Sequence, residues 1–385
     1  MASKLEIVNR GTLVRSGNGP DGNSCAFPSV AVLPGGRWLV GYRASSRKWH
    51  EGDQHIRLTW SDDEGRSWHE PIRFFEAPMV AGRPGRFRMG CLEPLGGRRV
   101  LIALAWQDYG DPERQVFNPE SKGGSVDFKS FFAISEDEGE TWSGLTEIDR
   151  SPFHTIPTPL TGPIRVLPNG DWACQFETNQ VYDDPGPWRL AAVMKFSSDG
   201  GRTWPHHVKH AWDPTDRLIY GDARPRVMRN DTLLSFYWTF DTVTGSLRNI
   251  HATQSTDSGR TWMVPWDTGV PGQAAPPVSL PEGEVGLAYV DRTSIPAIKV
   301  RLSDNDARSF SNATELVLRQ SSLPERRHGD HQDVHNWIND IELYSIGLPD
   351  SAPLAAENEF LVVYYNGPDH DHTDLEWVRL RARDR

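Results

Sequence analysis

The sequence predicts an all-β fold, a six-bladed β-propeller of four-stranded antiparallel blades that fills residues 1–385 as one domain. Three observations predict it: a short motif that recurs five times, an apolar hairpin ahead of each copy, and an opening strand that belongs to no repeat of its own. The copies occupy residues 61–68 (SDDEGRSW), 135–142 (SEDEGETW), 197–204 (SSDGGRTW), 255–262 (STDSGRTW) and, in worn form, 303–310 (SDNDARSF). In the shared frame Ser-x-Asp-x-Gly-x-Thr-Trp, Asp bonds the backbone of its own tight turn and Gly supplies a φ > 0 conformation. Ser and Thr cap the hairpin, and Trp pins the next strand under its neighbour. Each copy therefore closes a β-hairpin. Their starting points are spaced too unevenly for a tight solenoid and suit blades with loops of variable length.

The inner hairpins follow in order. Each is an apolar strand, a turn rich in Pro, Asn or Gly, and a second apolar strand. The first spans 27–42 around Pro34-Gly35-Gly36, and a variant pairs 92–95 with 101–104. The third spans 162–172 around Pro168-Asn169-Gly170, the fourth joins 224–227 to 234–237, and the fifth joins 276–280 to 286–289. Inner and outer hairpins together give four strands per unit. After the fifth box one inner hairpin remains, 338–343 with 359–365, followed by a strand over 376–382 and no sixth box. The opening strand, 5–14, completes that last blade, which closes the ring and removes exposed edges.

Composition supports one folded unit. Hydrophobic content is 37% with 15 Trp, enough to pack between radiating sheets. The net charge of −11 argues against nucleic-acid and membrane partners. Cys25, Cys91 and Cys174 make no even disulfide framework and have no metal-ligand spacing, so buried thiols are expected. The first residues lack a basic start followed by an apolar core, which makes a cytoplasmic location the expectation.

The repeated boxes on four-stranded units resemble the sialidase (neuraminidase) superfamily, whose Asp-box, or BNR, repeats sit on propeller blades, and the resemblance runs from Phe27 onward. In a four-stranded meander successive connections alternate between faces, so the boxes share a face with the first turns. The chemistry is expected on the other face, at inner-strand starts and in the loops after second strands.

Those positions supply the candidate residues. Catalytic candidates are Glu51 and Asp53 in the first blade's loop, Glu93 and Asp222 at inner strands, and Glu177 at the end of a second strand. Substrate-binding candidates are Arg43, His50, Arg88, Arg224, Asp241, Arg292 and Tyr365. Arginine forks beside carboxylates fit an anionic sugar and acid/base hydrolysis.

The resemblance implies an arginine triad, a loop Asp as acid/base, and a tyrosine nucleophile assisted by Glu. Where the first arginine's Arg-Ile-Pro would stand, this chain has Ala26-Phe27-Pro28. Asp291-Arg292-Thr293 matches the third arginine, while Trp238 and Asp241 stand where the second would. Glu51 and Asp53, beside His50, occupy the acid/base loop; Asp222 falls near the assisting Glu; Trp337-Ile338 replaces the tyrosine, with Tyr365 on the neighbouring strand. The resemblance thus implies a sialidase scaffold adapted to a different substrate.

Two histidine groups, 328–335, where His331 and His335 have His-x-x-x-His spacing, and the pair His370 and His372, lie on irregular segments and are read as acid/base or hydrogen-bonding residues, with no metal and no cofactor expected. Three functions fit: an exo-glycosidase acting on a carboxylate-bearing glycan, a polysaccharide lyase acting on a uronate, and a non-catalytic glycan-binding propeller. The expected partner is a glycan or small sugar.

Overall fold

The computed structural model describes residues 3–17, 22–48, 53–121, 123–321 and 344–383. Six sheets radiate around an axis as the repeats predict, mostly four-stranded and antiparallel. Blade 1 carries Ser24–Val32, Trp38–Ser45 and His55–Ser61, its fourth position reduced to one bridge between Leu58 and Ile72. Blade 2 is Gly85–Gly96, Arg99–Asp108, Phe128–Ser135 and Thr146–Glu147; blade 3 is Arg165–Val166, Trp172–Thr178, Ala191–Ser197 and His206–Ala211. Blade 4 is Leu218–Val227, Leu233–Asp241, His251–Ser255 and Trp266–Asp267. Blade 5 has a split inner strand, Gln273–Ala274 and Val278–Ser279, then Val285–Asp291, Ala297–Ser303 and Leu316–Gln320.

Blade 6 contains Ile346–Pro353, Glu359–Asn366 and Asp374–Arg383, with Lys4–Val14 as its outer strand, paired from Lys4 with Arg383 to Val14 with Leu375. The inner strand expected at 338–343 falls outside the described residues. The strand that faces Glu359–Asn366 is Ile346–Pro353, because Ile346 registers with Asn366 and Pro353 with Phe360.

The second strand of each blade is packed on both sides, which explains its continuous apolar runs. Leu39, Ile56 and Leu58 of blade 1 meet Leu92, Ile102 and Leu104 of blade 2. Val290 and Ile298 of blade 5 meet Phe360 and Val362 of blade 6, and Leu361 and Trp377 of blade 6 meet Trp38 and Val40 of blade 1. Each such side chain contributes roughly 1.5–3 kcal/mol by leaving water. The three cysteines are buried, free thiols, pushed up to about 12 chiefly by burial.

The boxes fold alike. Ser197 Oγ donates to Asp199 Oδ1 (2.8 Å) and accepts from Gly201 N (2.8 Å), while Thr203 donates through N (2.9 Å) and Oγ1 (2.6 Å) to the same carboxylate. Those bonds hold the Asp63, Asp137 and Asp199 carboxyls at about 2. The box glycine needs its positive φ (86° at Gly201), and a Cβ there would approach Phe132 of blade 2 to 2.8 Å and Trp172 of its own blade to 2.9 Å. Even the worn copy keeps the turn, with Ala307 at φ 59°. In blade 4 the box follows Ser255, which registers with Leu233, whereas Tyr237 and Phe240 lie toward the far end of that strand. The boxes therefore occupy the end of the strands away from the inner-strand starts.

Candidate active site

At that far end the inner strands carry irregularities at matching places. Register shifts occur between Ala26 and Ser29, Phe87 and Met89, Gly221 and Arg224, and Gly347 and Asp350. Within them Phe27, Asp222 and Leu348 have φ of 50°, 52° and 33°, a region costing roughly 1–3 kcal/mol for a non-glycine residue. A bulge re-aims a side chain. Here Phe27, Arg88, Asp222 and Leu348 all turn into one cleft, whose open space, mouth included, is about 880 Å³.

The cleft has a polar floor and an apolar wall. Glu177 ends the second strand of blade 3 and is buried; its Oε1 accepts from the backbone N–H of Asp222 and from Thr161 Oγ1 (3.3 Å). Arg224 donates to the Thr161 carbonyl and lies 3.7 Å from Asp222 Oδ2. Burial first, and the Asp222 charge second, push the Glu177 carboxyl up to about 8 against the Asp222 N–H, Arg224 and Thr161. Glu177 is therefore a carboxylic acid that keeps its proton near neutral pH beside a second carboxyl group, as proton donation to a leaving oxygen requires.

The wall comes from blade 4 and from two long loops. Residues 109–127 of blade 2 and 179–190 of blade 3 join through the short parallel pair Gly124–Ser125 with Gln180–Val181. Asn118 Nδ2 donates to the Tyr182 carbonyl (2.9 Å) and Ser121 Oγ to the Asp184 carbonyl (2.7 Å). Gly124 is required there, since a Cβ would lie 2.1 Å from Tyr182 O. This cap brings Phe117 and Trp188 to the cleft, facing Ile219, Trp238 and Phe240.

Of the residues singled out from sequence, Glu177, Asp222 and Arg88 line the cleft, with Arg224 directly against Asp222. Glu93 does not line it; it pairs with Arg165, whose Nε donates to Pro225 O (2.8 Å), and so ties blades 2, 3 and 4 together. Asp241 points elsewhere too, clamped by Arg217 (3.0 Å) and Arg248 (2.5 Å), which hold its carboxyl far below the usual range. Asp53 is exposed, 3.8 Å from His55 and 3.6 Å from Arg73. His50, Glu51 and the histidines of 328–335 lie outside the described residues. No cluster of three or more metal-ligating side chains occurs among the described residues.

Arg43, Arg292 and Tyr365 form a second, fully buried group behind Phe27. The Arg43 guanidinium sits 4.3 Å from the Phe27 ring centroid, with Arg88 at 5.6 Å. Arg43 also donates to Gln54 Oε1 (3.4 Å), Lys48 Nζ donates to Tyr365 Oη (2.9 Å), and Arg292 donates to Gln273 Oε1 (2.5 Å) and Ile346 O (2.7 Å). These cations are spent on internal acceptors. Charge patterning does not point to the cap's aromatics; the one signal for them is the longest interval between boxes, from 61 to 135, which contains the first cap loop.

The fold and the repeated boxes define a six-bladed BNR-repeat propeller. The chain belongs to the BNR repeat-like domain family, whose model matches residues 117–338. No curated protein sequence matches it. Among solved structures it resembles a protein of unknown function from Dyadobacter fermentans, at 19% identity and TM-score 0.72, over 98% of this chain and 99% of that one. It also resembles the Trypanosoma rangeli sialidase in complex with the inhibitor DANA (14%, TM-score 0.61, 98% of this chain, 60% of that one). The intramolecular trans-sialidase from Ruminococcus gnavus is similar at 12% identity, TM-score 0.61, over 98% and 97% of the two chains. At these identities the likeness concerns the fold.

Proposed function

We propose that the protein is a glycoside hydrolase, in which Glu177 protonates the glycosidic oxygen and Asp222 is the opposing carboxylate. The observation that carries this reading is the buried Glu177 carboxyl at the floor of a cleft, which accepts from the Asp222 backbone N–H beside the Asp222 carboxyl and Arg224. Donation of the Glu177 proton accompanies cleavage of the anomeric C–O bond; water then supplies the hydroxyl of the released sugar and the proton that restores Glu177. Arg88, which lines the cleft, is the residue placed to meet a carboxylate on the sugar, which makes an anionic sugar the preferred substrate. Incubation with a panel of 4-methylumbelliferyl glycosides, uronides included, tests the reaction. Release of fluorophore that Glu177→Gln abolishes supports it. An unsaturated, ultraviolet-absorbing product from uronate polysaccharides would replace hydrolysis with elimination, and no turnover of any kind would reduce the site to binding.

A further inference from the structure

A protonated carboxyl can carry its hydrogen on either oxygen, and the bonds around Glu177 distinguish the two. Oε1 accepts from the Asp222 backbone N–H and from Thr161 Oγ1 (3.3 Å), whereas Oε2 accepts from no group among the described residues. An oxygen that receives two donors is the carbonyl oxygen of the acid, because a hydrogen of its own would be forced against the other two. We infer that Thr161, itself held by Gln175, is a positioning residue that fixes the acidic proton of Glu177 on Oε2, the oxygen left to meet a glycosidic oxygen in the cleft. The inference rests on Glu177 being the proton donor of the proposed hydrolysis.

The direction of the Thr161 hydroxyl follows from its other neighbour. Gln175 is fully buried; its Nε2 donates to Thr161 Oγ1 at 2.6 Å, and its Oε1 lies 3.2 Å from the same atom. The two heads of one amide subtend too narrow an angle at that oxygen for a hydroxyl to accept from one and donate to the other. With Gln175 as donor, the single Thr161 hydrogen goes to Glu177. Backbone bonds hold the residue in place: Glu177 N donates to Pro159 O (3.0 Å), and Arg224, 3.7 Å from Asp222 Oδ2, donates to the Thr161 carbonyl. Thr161 thus holds the acid by its hydroxyl and the cation beside the opposing carboxyl by its carbonyl. When the proton passes from Oε2 to the glycosidic oxygen, the bond from that oxygen to the anomeric carbon breaks and a negative charge is left on Glu177. That charge spreads onto Oε1, where both donors are already in place, and there the hydroxyl opposes the effect of burial.

Thr161→Val keeps the shape and removes the hydroxyl. It should lower kcat roughly tenfold with KM within about twofold, and it should raise the alkaline limb of the kcat/KM profile by about one pH unit, because charged Glu177 loses a donor. Thr161→Ser should restore both. Gln175→Leu, which lets the hydroxyl turn away, should move the limb in the same direction by less, and it carries the test where the valine variant does not fold. The Glu177 carboxyl can also be followed without turnover, by 13C NMR of glutamate-labelled protein, its signal assigned by loss in Glu177→Gln. Its titration midpoint should rise in Thr161→Val and return in Thr161→Ser. A limb and a midpoint that stay in place in variants that melt like the parent overturn the inference, as does failure of serine to restore them. A midpoint that shifts as expected in a protein that hydrolyses no glycoside supports the placing of the proton and overturns the catalytic role of Glu177 instead.

Discussion

The backbone N–H of Asp222 donates to the carboxyl of Glu177, across the boundary between blades 4 and 3. Two effects of one residue oppose each other there. The Asp222 side chain raises the neighbouring acid by its charge, and its N–H, turned by the φ of 52°, lowers it. Burial decides the balance, and the acid stays protonated. A bulge in an inner strand thus links backbone conformation to the protonation state of a carboxyl on the next blade.

Glu177→Gln should reduce turnover by at least about 10²-fold while KM moves little, because proton donation is lost and shape is kept. Its stability should respond to pH in a defined direction. Folded Glu177 holds its proton up to about 8, above the unfolded value, so its stabilising proton uptake is complete below the unfolded pKa and is lost as pH rises toward 8. Gln lacks that loss. The stability of the variant relative to the parent, followed by thermal melting, should therefore rise from pH 5 to pH 8, by at most ~1.4 kcal/mol per pH unit. A pH-independent difference would show that the buried acid is not perturbed.

Asp222→Asn removes the charge and keeps the N–H donor. The alkaline limb of the kcat/KM profile, which reports loss of the Glu177 proton, should move to lower pH. A limb that stays in place would mean that burial alone sets the acid.

Local chemistry made the fold legible. Each box encodes its turn within eight residues, and the hydrogen bonds of Ser197, Asp199 and Thr203 follow from the motif. The strand-end rule also picks out Glu177, Asp222 and Arg88, which the structure gathers at one cleft. The inner strand of blade 6 was not legible. Ile346–Pro353 contains Gly, Pro and Asp and is broken by a bulge, so it shows no apolar alternation. The only hint is Leu348-Pro349, in the same frame as Phe27-Pro28 of blade 1. The apolar wall was illegible for another reason: Phe117 and Trp188 come from loops of different blades that meet over two residues each. Arg43 and Arg292 looked like ligand-binding forks because sequence cannot show that Gln54, Gln273 and Ile346 already accept from them.

Gly201→Val should harm folding more than Gly139→Val. Both glycines have positive φ, 86° and 92°, which a β-branched residue resists. At Gly201 the new atoms would also meet the rings of Phe132 and Trp172, whereas at Gly139 they would meet the methyls of Leu39 at 3.0 Å, which can move. Thermal unfolding should rank parent, Gly139→Val, Gly201→Val in falling order. Equal melting temperatures would contradict the docking of boxes onto neighbouring blades.

Deleting the first 14 residues removes the outer strand of blade 6 and bares the edge of Asp374–Arg383. It also removes Leu5 and Leu13 from two separate apolar clusters. Melting should fall sharply and aggregation should increase as the unpaired edge finds partners. A truncated chain that melts like the full one would mean that this strand adds nothing to ring closure.

Arg292→Lys distinguishes a structural arginine from a ligand-binding one. Its guanidinium is fully buried, donates to both Gln273 Oε1 and Ile346 O, and stacks 4.0 Å from the centroid of Tyr344. One ammonium cannot reproduce two divergent donors and a flat stacking face, so an acceptor of blade 5 or blade 6 is left unpaired at a cost of about 1–3 kcal/mol. The expected result is a melting temperature lower by several degrees, with KM for any hydrolysed glycoside changed by less than about twofold. A tenfold rise in KM at unchanged melting temperature would return Arg292 to the substrate and extend the functional site from the cleft to the cation group behind Phe27.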